Sequence, residues 1–228
     1  MASEQFEQFI ASSAWGRNLT PEQLHRVCGD AVELAVDAGQ TVCHRGGQAQ
    51  YWYGVVEGLV KVSTVSRHGR PTTFIGIPAG GWFGEGAVLK HELRPYDVVA
   101  LRESRLALIP AATFHWLLGA SLPFNSFLIA HLNARLAQFV IRLEHARLHD
   151  PDQHVTHCLA ELFNPELYPG KATTLKLSQE EIAFLAGVSR QLVNRALRRL
   201  EEEKLVQVSY GSITILDVDA LRAFAAQA

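Results

Sequence analysis

Between Ser189 and Leu200 the sequence carries Arg190, Arg195, Arg198 and Arg199, with Gln191 and Asn194 among them and no acid, and the acidic run Glu201 to Glu203 follows at once. Arginine can pair with both acceptors of guanine, and glutamine or asparagine with the edge of adenine, so such side chains gathered on one face have the chemistry to read base pairs. At about 100° per residue, a helix here puts Val193, Ala196, Leu197 and Leu200 on one side and Gln191, Asn194, Arg195 and Arg198 on the other. The first residues of such a helix reach deepest into a major groove. Arg190, Gln191 and Arg195 are therefore the base-reading candidates. Arg198, Arg199 and Lys204 are placed at phosphate or in solvent, and Ser178, Gln179, Ser189 and Asn194 are backbone or accessory candidates.

A groove-reading helix needs a partner helix and a tight turn before it. Ser178 with Glu181 makes a capping box for a first helix, Gly187 sits where the turn must close, and Ser189 can cap the second. The runs Leu205 to Val208 and Ile213 to Leu216 around Tyr210-Gly211 read as a hairpin wing, and Asp217 can cap a last helix through Phe224. Upstream, beyond Pro123, Ile129, Leu132, Leu136, Phe139, Leu143 and Ala146 fall at spacings of 3, 4, 3, 4 and 3, the a/d seam of a left-handed coiled coil. An amphipathic helix lying on its own domain has the same spacing, so the seam by itself leaves both readings open. That helix should end near His149, because Asp150-Pro151-Asp152-Gln153 offers a fresh cap, a proline at the first helical position and a capping glutamine.

The first half has another texture. Thr20-Pro21-Glu22-Gln23 starts a helix with Leu24 and Val27 at helical spacing. Short β-rich runs then alternate with glycine turns: Val32 to Val36, Tyr51 to Val56, Leu59 to Val65, Thr72 to Ile77, Val98 to Leu101 and Leu106 to Ile109. Even spacing of that kind predicts an antiparallel barrel or jelly roll, with helix returning at about Ala111. The expected division is a β-roll sensing domain over 1–120, a central helix over 121–149 and a C-terminal domain over 150–228.

The chain has 228 residues, 48% of them apolar, enough to bury two modest cores. No apolar run approaches the roughly 18 residues of a membrane span, and Met1 to Ile10 is too polar for a secretory signal, so a cytoplasmic location without membrane association is expected. The net charge of −2 gives no global footprint for nucleic acid, and only the local arginine patch does. Cys28, Cys43 and Cys158 are scattered and odd in number, which argues against disulfide, zinc and iron-sulfur frameworks. His145, His149, His154 and His157 crowd the hinge at spacings that suit a metal clip, but no carboxylate or cysteine completes a convincing set and no metal site is assigned.

Four segments together resemble the Crp/Fnr superfamily: Cys43-His44-Arg45-Gly46-Gly47, Tyr53-Gly54-Val55-Val56-Glu57-Gly58-Leu59-Val60-Lys61-Val62, Trp82-Phe83-Gly84-Glu85 and Val188-Ser189-Arg190-Gln191-Leu192-Val193-Asn194-Arg195. The resemblance spans nearly the whole chain. It implies an α+β fold: an N-terminal cyclic-nucleotide-binding-type β-roll (jelly roll), a long central dimerisation helix and a C-terminal winged helix-turn-helix. It also implies a homodimer on a two-fold symmetric operator with half-sites about 34 Å apart, RNA polymerase as a partner, and a small-molecule effector.

In cyclic-AMP-responsive members a Gly-Glu pair binds the ribose, and an Arg-Ser or Arg-Thr pair nine or ten residues later holds the phosphate. Gly84, Glu85 and Arg94 match, but Pro95 offers neither hydroxyl nor N–H. Where a Thr-Ser pair hydrogen-bonds the adenine, this chain has Phe139 and Val140. Cyclic AMP is thus disfavoured as effector. The iron-sulfur alternative lacks its cysteine cluster, whereas haem, which a single His or Cys can hold, is left open. On the reading helix Gln191 replaces a common Glu, and Leu192 a common phosphate-contacting Thr, so base preference should differ. A ligand-binding module acting through protein contacts is the alternative. An enzyme is not expected, since the β-roll shows no spaced metal-binding histidines, nucleophile elbow or phosphate loop.

Overall fold

The structure, a computed structural model, describes residues 4–65, 69, 71–148, 151–169 and 173–227. Two N-terminal helices come first, α1 (Glu4–Ser12) and α2 (Pro21–Asp30). Thr20 caps α2 as its sequence suggests: its hydroxyl accepts from the Gln23 N–H, and the Gln23 side-chain oxygen accepts from the Thr20 N–H.

A double-sheet roll follows. Its strands are β1 (Val32–Val36), β2 (Thr41–Cys43), β3 (Tyr51–Glu57), β4 (Leu59–Val65), β5 (Pro71–Pro78), β6 (Trp82–Phe83), β7 (Asp97–Ala100) and β8 (Ser104–Pro110), with α3 (Glu85–Lys90) between β6 and β7. One sheet runs β1-β8-β3-β6 and the other β2-β7-β4-β5, every pairing antiparallel. The valines, isoleucines and leucines of the inner faces close into one core, including Val55, Val60, Val62, Ile75, Ile77, Val98 and Leu106. At about 1.5–3 kcal/mol per buried side chain, that interdigitation is what holds the two sheets together. The expected strands are present, while α1, β2, β6 and α3 were not anticipated. They are short, and what holds them is contact with distant parts of the chain: Phe6 and Ile10 of α1 are buried against the back of the roll.

Helices α4 (Ala111–Ala120) and α5 (Leu122–Leu148) leave the roll. The start of α5 is anchored by an aromatic cluster. Trp52 and Trp82 lie 4.4 Å apart, Trp15 meets Trp82 edge-on at 5.0 Å, and Phe124 packs against Trp15 at 5.7 Å. From that anchor α5 runs about 40 Å.

The C-terminal unit comprises α6 (Pro151–Glu161), β9 (Thr174–Leu175), α7 (Gln179–Ala186), α8 (Arg190–Glu202), β10 (Val206–Ser209), β11 (Ser212–Ile215) and α9 (Val218–Gln227). The expected wing hairpin forms around Gly211, whose φ of +69° suits glycine, and gains an unanticipated third strand, β9. Asp217 caps α9 through the Ala220 N–H at 2.8 Å. Two residues of the stretch after α6, Leu167 and Tyr168, pack into the core of the roll, and Leu59 of the roll packs into the C-terminal core. Among the described residues no helix is long and apolar enough to cross a membrane.

Candidate functional site

Helices α7 and α8 are set by their caps. The Ser178 hydroxyl accepts from the Glu181 N–H, and the Glu181 carboxylate accepts from the Ser178 N–H at 2.6 Å. Gly187 ends α7 at φ +71°, and the Ser189 hydroxyl then accepts from Leu192 to start α8. Val193, Ala196, Leu197 and Leu200 are buried, which turns the other side of α8 outward. Arg190, Gln191, Arg195, Arg198 and Arg199 are exposed and Asn194 is half-buried.

Gln179, Ser189, Arg190, Gln191 and Asn194 line one open concavity, and the Asn194 amide donates to Gln179 at 3.4 Å, linking the two helices across it. The Arg199 guanidinium stacks 5.4 Å above the Phe224 ring, and exposed Lys204 follows α8 at φ +57°. Arginine forks and amide groups presented together on a convex helix can form paired hydrogen bonds with base edges.

The roll contains the second set of candidates, in a different environment. Gly84 starts α3 at φ +89°, and a Cβ there would stand 2.2 Å from Arg94 Nη1. Glu85 and Arg94 are 6% and 2% exposed. The Arg94 guanidinium donates to the Gly84 carbonyl at 3.2 Å and to the Tyr51 carbonyl, and lies 5.0 Å over the Tyr53 ring. The Glu85 carboxylate faces His131 Nε2 of α5 at 3.7 Å. Burial pushes His131 below the ordinary imidazole range, and the Glu85 charge opposes that shift. Nearby, burial and then the charge of Glu85 push the Tyr96 phenol up to about 12. Pro95 is exposed.

The structure does not bring Phe139 and Val140 into this chamber; both are exposed on α5. The side of α5 that faces the roll carries a polar row instead: His131, Arg135 and Gln138 are all buried, beside the apolar Leu128 and Ala134. The sequence reading missed these three. Their signal was a second helical spacing, 131, 135, 138 and 142, running beside the apolar one.

That apolar row points away from the rest of the chain. Ile129 and Leu136 are 70% and 62% exposed, Phe139 and Leu143 are exposed and Leu132 is half-buried. The side chains of His145 and Ala146, and all of His149, lie outside the described residues. His154 and His157 line a cavity of about 260 Å³ with Arg142, Cys158 and Glu161. Burial pushes the Cys158 thiol up to about 11, so it is not a thiolate at neutral pH. Among the described residues, no three His, Cys, Asp or Glu side chains are grouped to hold a metal ion.

Comparison with known proteins places both halves. Residues 33–121 match the cyclic nucleotide-binding domain family and residues 134–224 the Crp-like helix-turn-helix domain family. The chain is 30% identical over 197 residues to the transcriptional regulator SdrP of Thermus thermophilus, covering 84% of this chain and 93% of that protein. It is 25% identical over 208 residues to the cyclic AMP receptor protein of the same organism, covering 91% and 94%. In structure it is similar to FixK2 of Bradyrhizobium japonicum, with a TM-score of 0.69 at 18% identity over 85% of this chain and 96% of that one. A Crp/Fnr-family transcriptional regulator from Thermus thermophilus gives a TM-score of 0.60 at 26% identity over 86% and 98%.

Proposed function

This chain belongs to the Crp/Fnr superfamily of transcriptional regulators, and on that basis we propose that it acts as a homodimer on a two-fold symmetric operator, without cyclic AMP as effector and with RNA polymerase as a further partner. The units are the roll over 1–120, the dimerising helix over 121–149 and the reading head over 150–228. The observation that carries the proposal is one chain presenting two uncovered surfaces together: the amide and arginine face of α8 and the aliphatic row of α5. A row with Ile129, Leu136 and Leu143 facing water is unfavourable by about 25 cal/mol for each Å² left uncovered. A second copy covers it with the same row, which generates a two-fold axis and hence a paired operator. Arg190, Gln191 and Arg195 are the proposed base readers.

The effector reading rests on what the roll's polar groups already touch. Cyclic AMP would have to recruit an arginine whose guanidinium is held by two backbone carbonyls, beside a proline with no donor. Each missing ligand hydrogen bond is worth about 1 kcal/mol, and more at phosphate, so several together weaken binding by orders of magnitude. The test is nuclease footprinting of the full chain on selected DNA, with and without cyclic AMP at low-micromolar concentration. Paired, salt-sensitive protection centred about one helical turn apart and indifferent to the nucleotide is expected. Unpaired protection would sink the homodimer reading, and a gain in affinity with the nucleotide would sink the effector reading.

A further inference from the structure

The reading head is docked on the rest of the subunit by three sets of contacts. The first is Tyr168, which is buried and reaches out of the C-terminal unit: its hydroxyl donates to the Gly76 carbonyl of β5 at 3.1 Å and accepts from Arg135 Nη1 of α5 at 2.8 Å. Arg135 also donates to the Trp82 carbonyl at 3.0 Å and to Gln138 at 2.9 Å, so one tyrosine is tied to β5, β6 and α5. The ring needs Gly81, where a Cβ would stand 2.8 Å from Tyr168 Cδ1.

The second set grips the head by its cap. Arg102 of the loop before β8 meets Glu181 at 2.5 Å, and the other oxygen of that carboxylate is the one that accepts from the Ser178 N–H at the start of α7. In the third, Arg142 of α5 donates to the Leu185 carbonyl at 2.5 Å, while Gly76 leaves room for Leu162 and Leu185, each 3.0 Å from where its Cβ would be.

Arg135 and Arg142 stand seven residues apart on the same helix that carries the exposed row, and Leu136 and Leu143 follow them, about 100° further round. On the reading that α5 forms the two-fold interface, one rigid helix therefore holds both the symmetry axis and the reading head. Docking leaves Arg190, Gln191 and Arg195 exposed, so it does not cover the proposed base readers.

We propose that Arg102, Arg135 and Tyr168 are positioning residues that set operator spacing. They fix how far α8 lies from the two-fold axis and at what rotation, so the docking contacts select the half-site separation while the side chains of α8 select the bases. One inserted base pair moves the half-sites about 3.4 Å apart and rotates them by about 34°. A head held by these contacts must distort the DNA to follow; a head released from them can turn.

The experiment measures the full chain, Arg102→Gln, Tyr168→Phe and Arg102→Lys on palindromic operators whose spacer is optimal, or one or two base pairs shorter or longer. Each protein is normalised to its own best spacer, so a smaller folded fraction cancels. The natural chain should lose about tenfold or more in affinity for one base pair of change, the cost of deforming DNA to fit. Arg102→Gln and Tyr168→Phe should lose less than about threefold with the same half-site consensus, and Arg102→Lys should keep most of the selectivity. Variants with the natural spacer profile, or a flat profile in the natural chain, would overturn the proposal. A natural chain with no paired footprint would instead remove the homodimer reading beneath it.

Discussion

Two regions of this molecule present arginine beside glycine-bounded helix starts, and their surroundings separate them. On α8, Arg190 and Arg198 are exposed on a helix whose other face is buried. In the roll, Arg94 is sealed off, its guanidinium given to the carbonyls of Gly84 and Tyr51 and to the face of Tyr53. Two of the guanidinium's five donors hold backbone oxygens and its buried Nε–H has no partner, so what separates Arg94 from the arginines of α8 is burial. Matching residue types at matching positions therefore identify a fold, while function also depends on whether the side chain can be reached.

The largest expected effect tests that difference directly. Arg190→Ala removes a proposed bidentate contact from each half-site, about 1–3 kcal/mol apiece, so specific affinity should fall by about 2–6 kcal/mol while melting temperature barely moves. Arg94→Gln should do the reverse. It leaves the buried Gly84 carbonyl and the half-buried Tyr51 carbonyl short of a donor, at about 1–3 kcal/mol for a buried group, and should lower the melting temperature while the selected half-site sequence stays the same. Gel-shift titrations and thermal melts on the same preparations measure both. An Arg94→Gln protein that keeps its melting temperature but loses DNA binding would erase the distinction between the two arginine environments.

A smaller effect concerns the reading head alone. Gln191 is exposed at the start of α8 and lines the concavity with Arg190 and Asn194. Gln191→Glu exchanges a group that donates and accepts for one that only accepts, which favours cytosine N4. Selection from random operators should shift preference by about tenfold at one symmetric position per half-site. An unchanged motif would remove Gln191 from the readers.

What the sequence made legible follows from the range of the interactions involved. Thr20, Ser178, Ser189 and Asp217 act within three residues, and all four cap as read. The burial of Val193, Ala196, Leu197 and Leu200 followed from helical spacing. What was not legible depends on residues far apart in the chain. The pairing of β6 with β3 places Trp82 against Gly54, whose missing Cβ leaves room 2.8 Å from the indole ring. Nor could local spacing show that Arg135 meets Tyr168, or that Glu181, read as a cap, also holds Arg102. On α5 the apolar row drew the reading, and the polar row beside it turned out to face the roll.

The smallest expected effect concerns that polar row. His131 is buried against Glu85 of α3, with Arg135 on its own helix and the backbone of Trp82 beside it, and burial holds its pKa below the unfolded value of 6.5. The folded state therefore binds fewer protons than the unfolded chain between that depressed value and 6.5, and stability must rise with pH across this window and level off above it. Glu161 acts with the opposite sign, because its buried carboxyl is raised above 4.5 and contributes stability that is lost as pH climbs through the folded value. Comparison with His131→Gln removes the first contribution and leaves the second. Acidification from about pH 8 to about pH 5 should therefore lower the melting temperature of the natural chain more than that of the variant. Parallel melting curves across that range would mean that the proton is exchanged equally in both states, and that Glu85 holds His131 as an ion pair strong enough to cancel its burial.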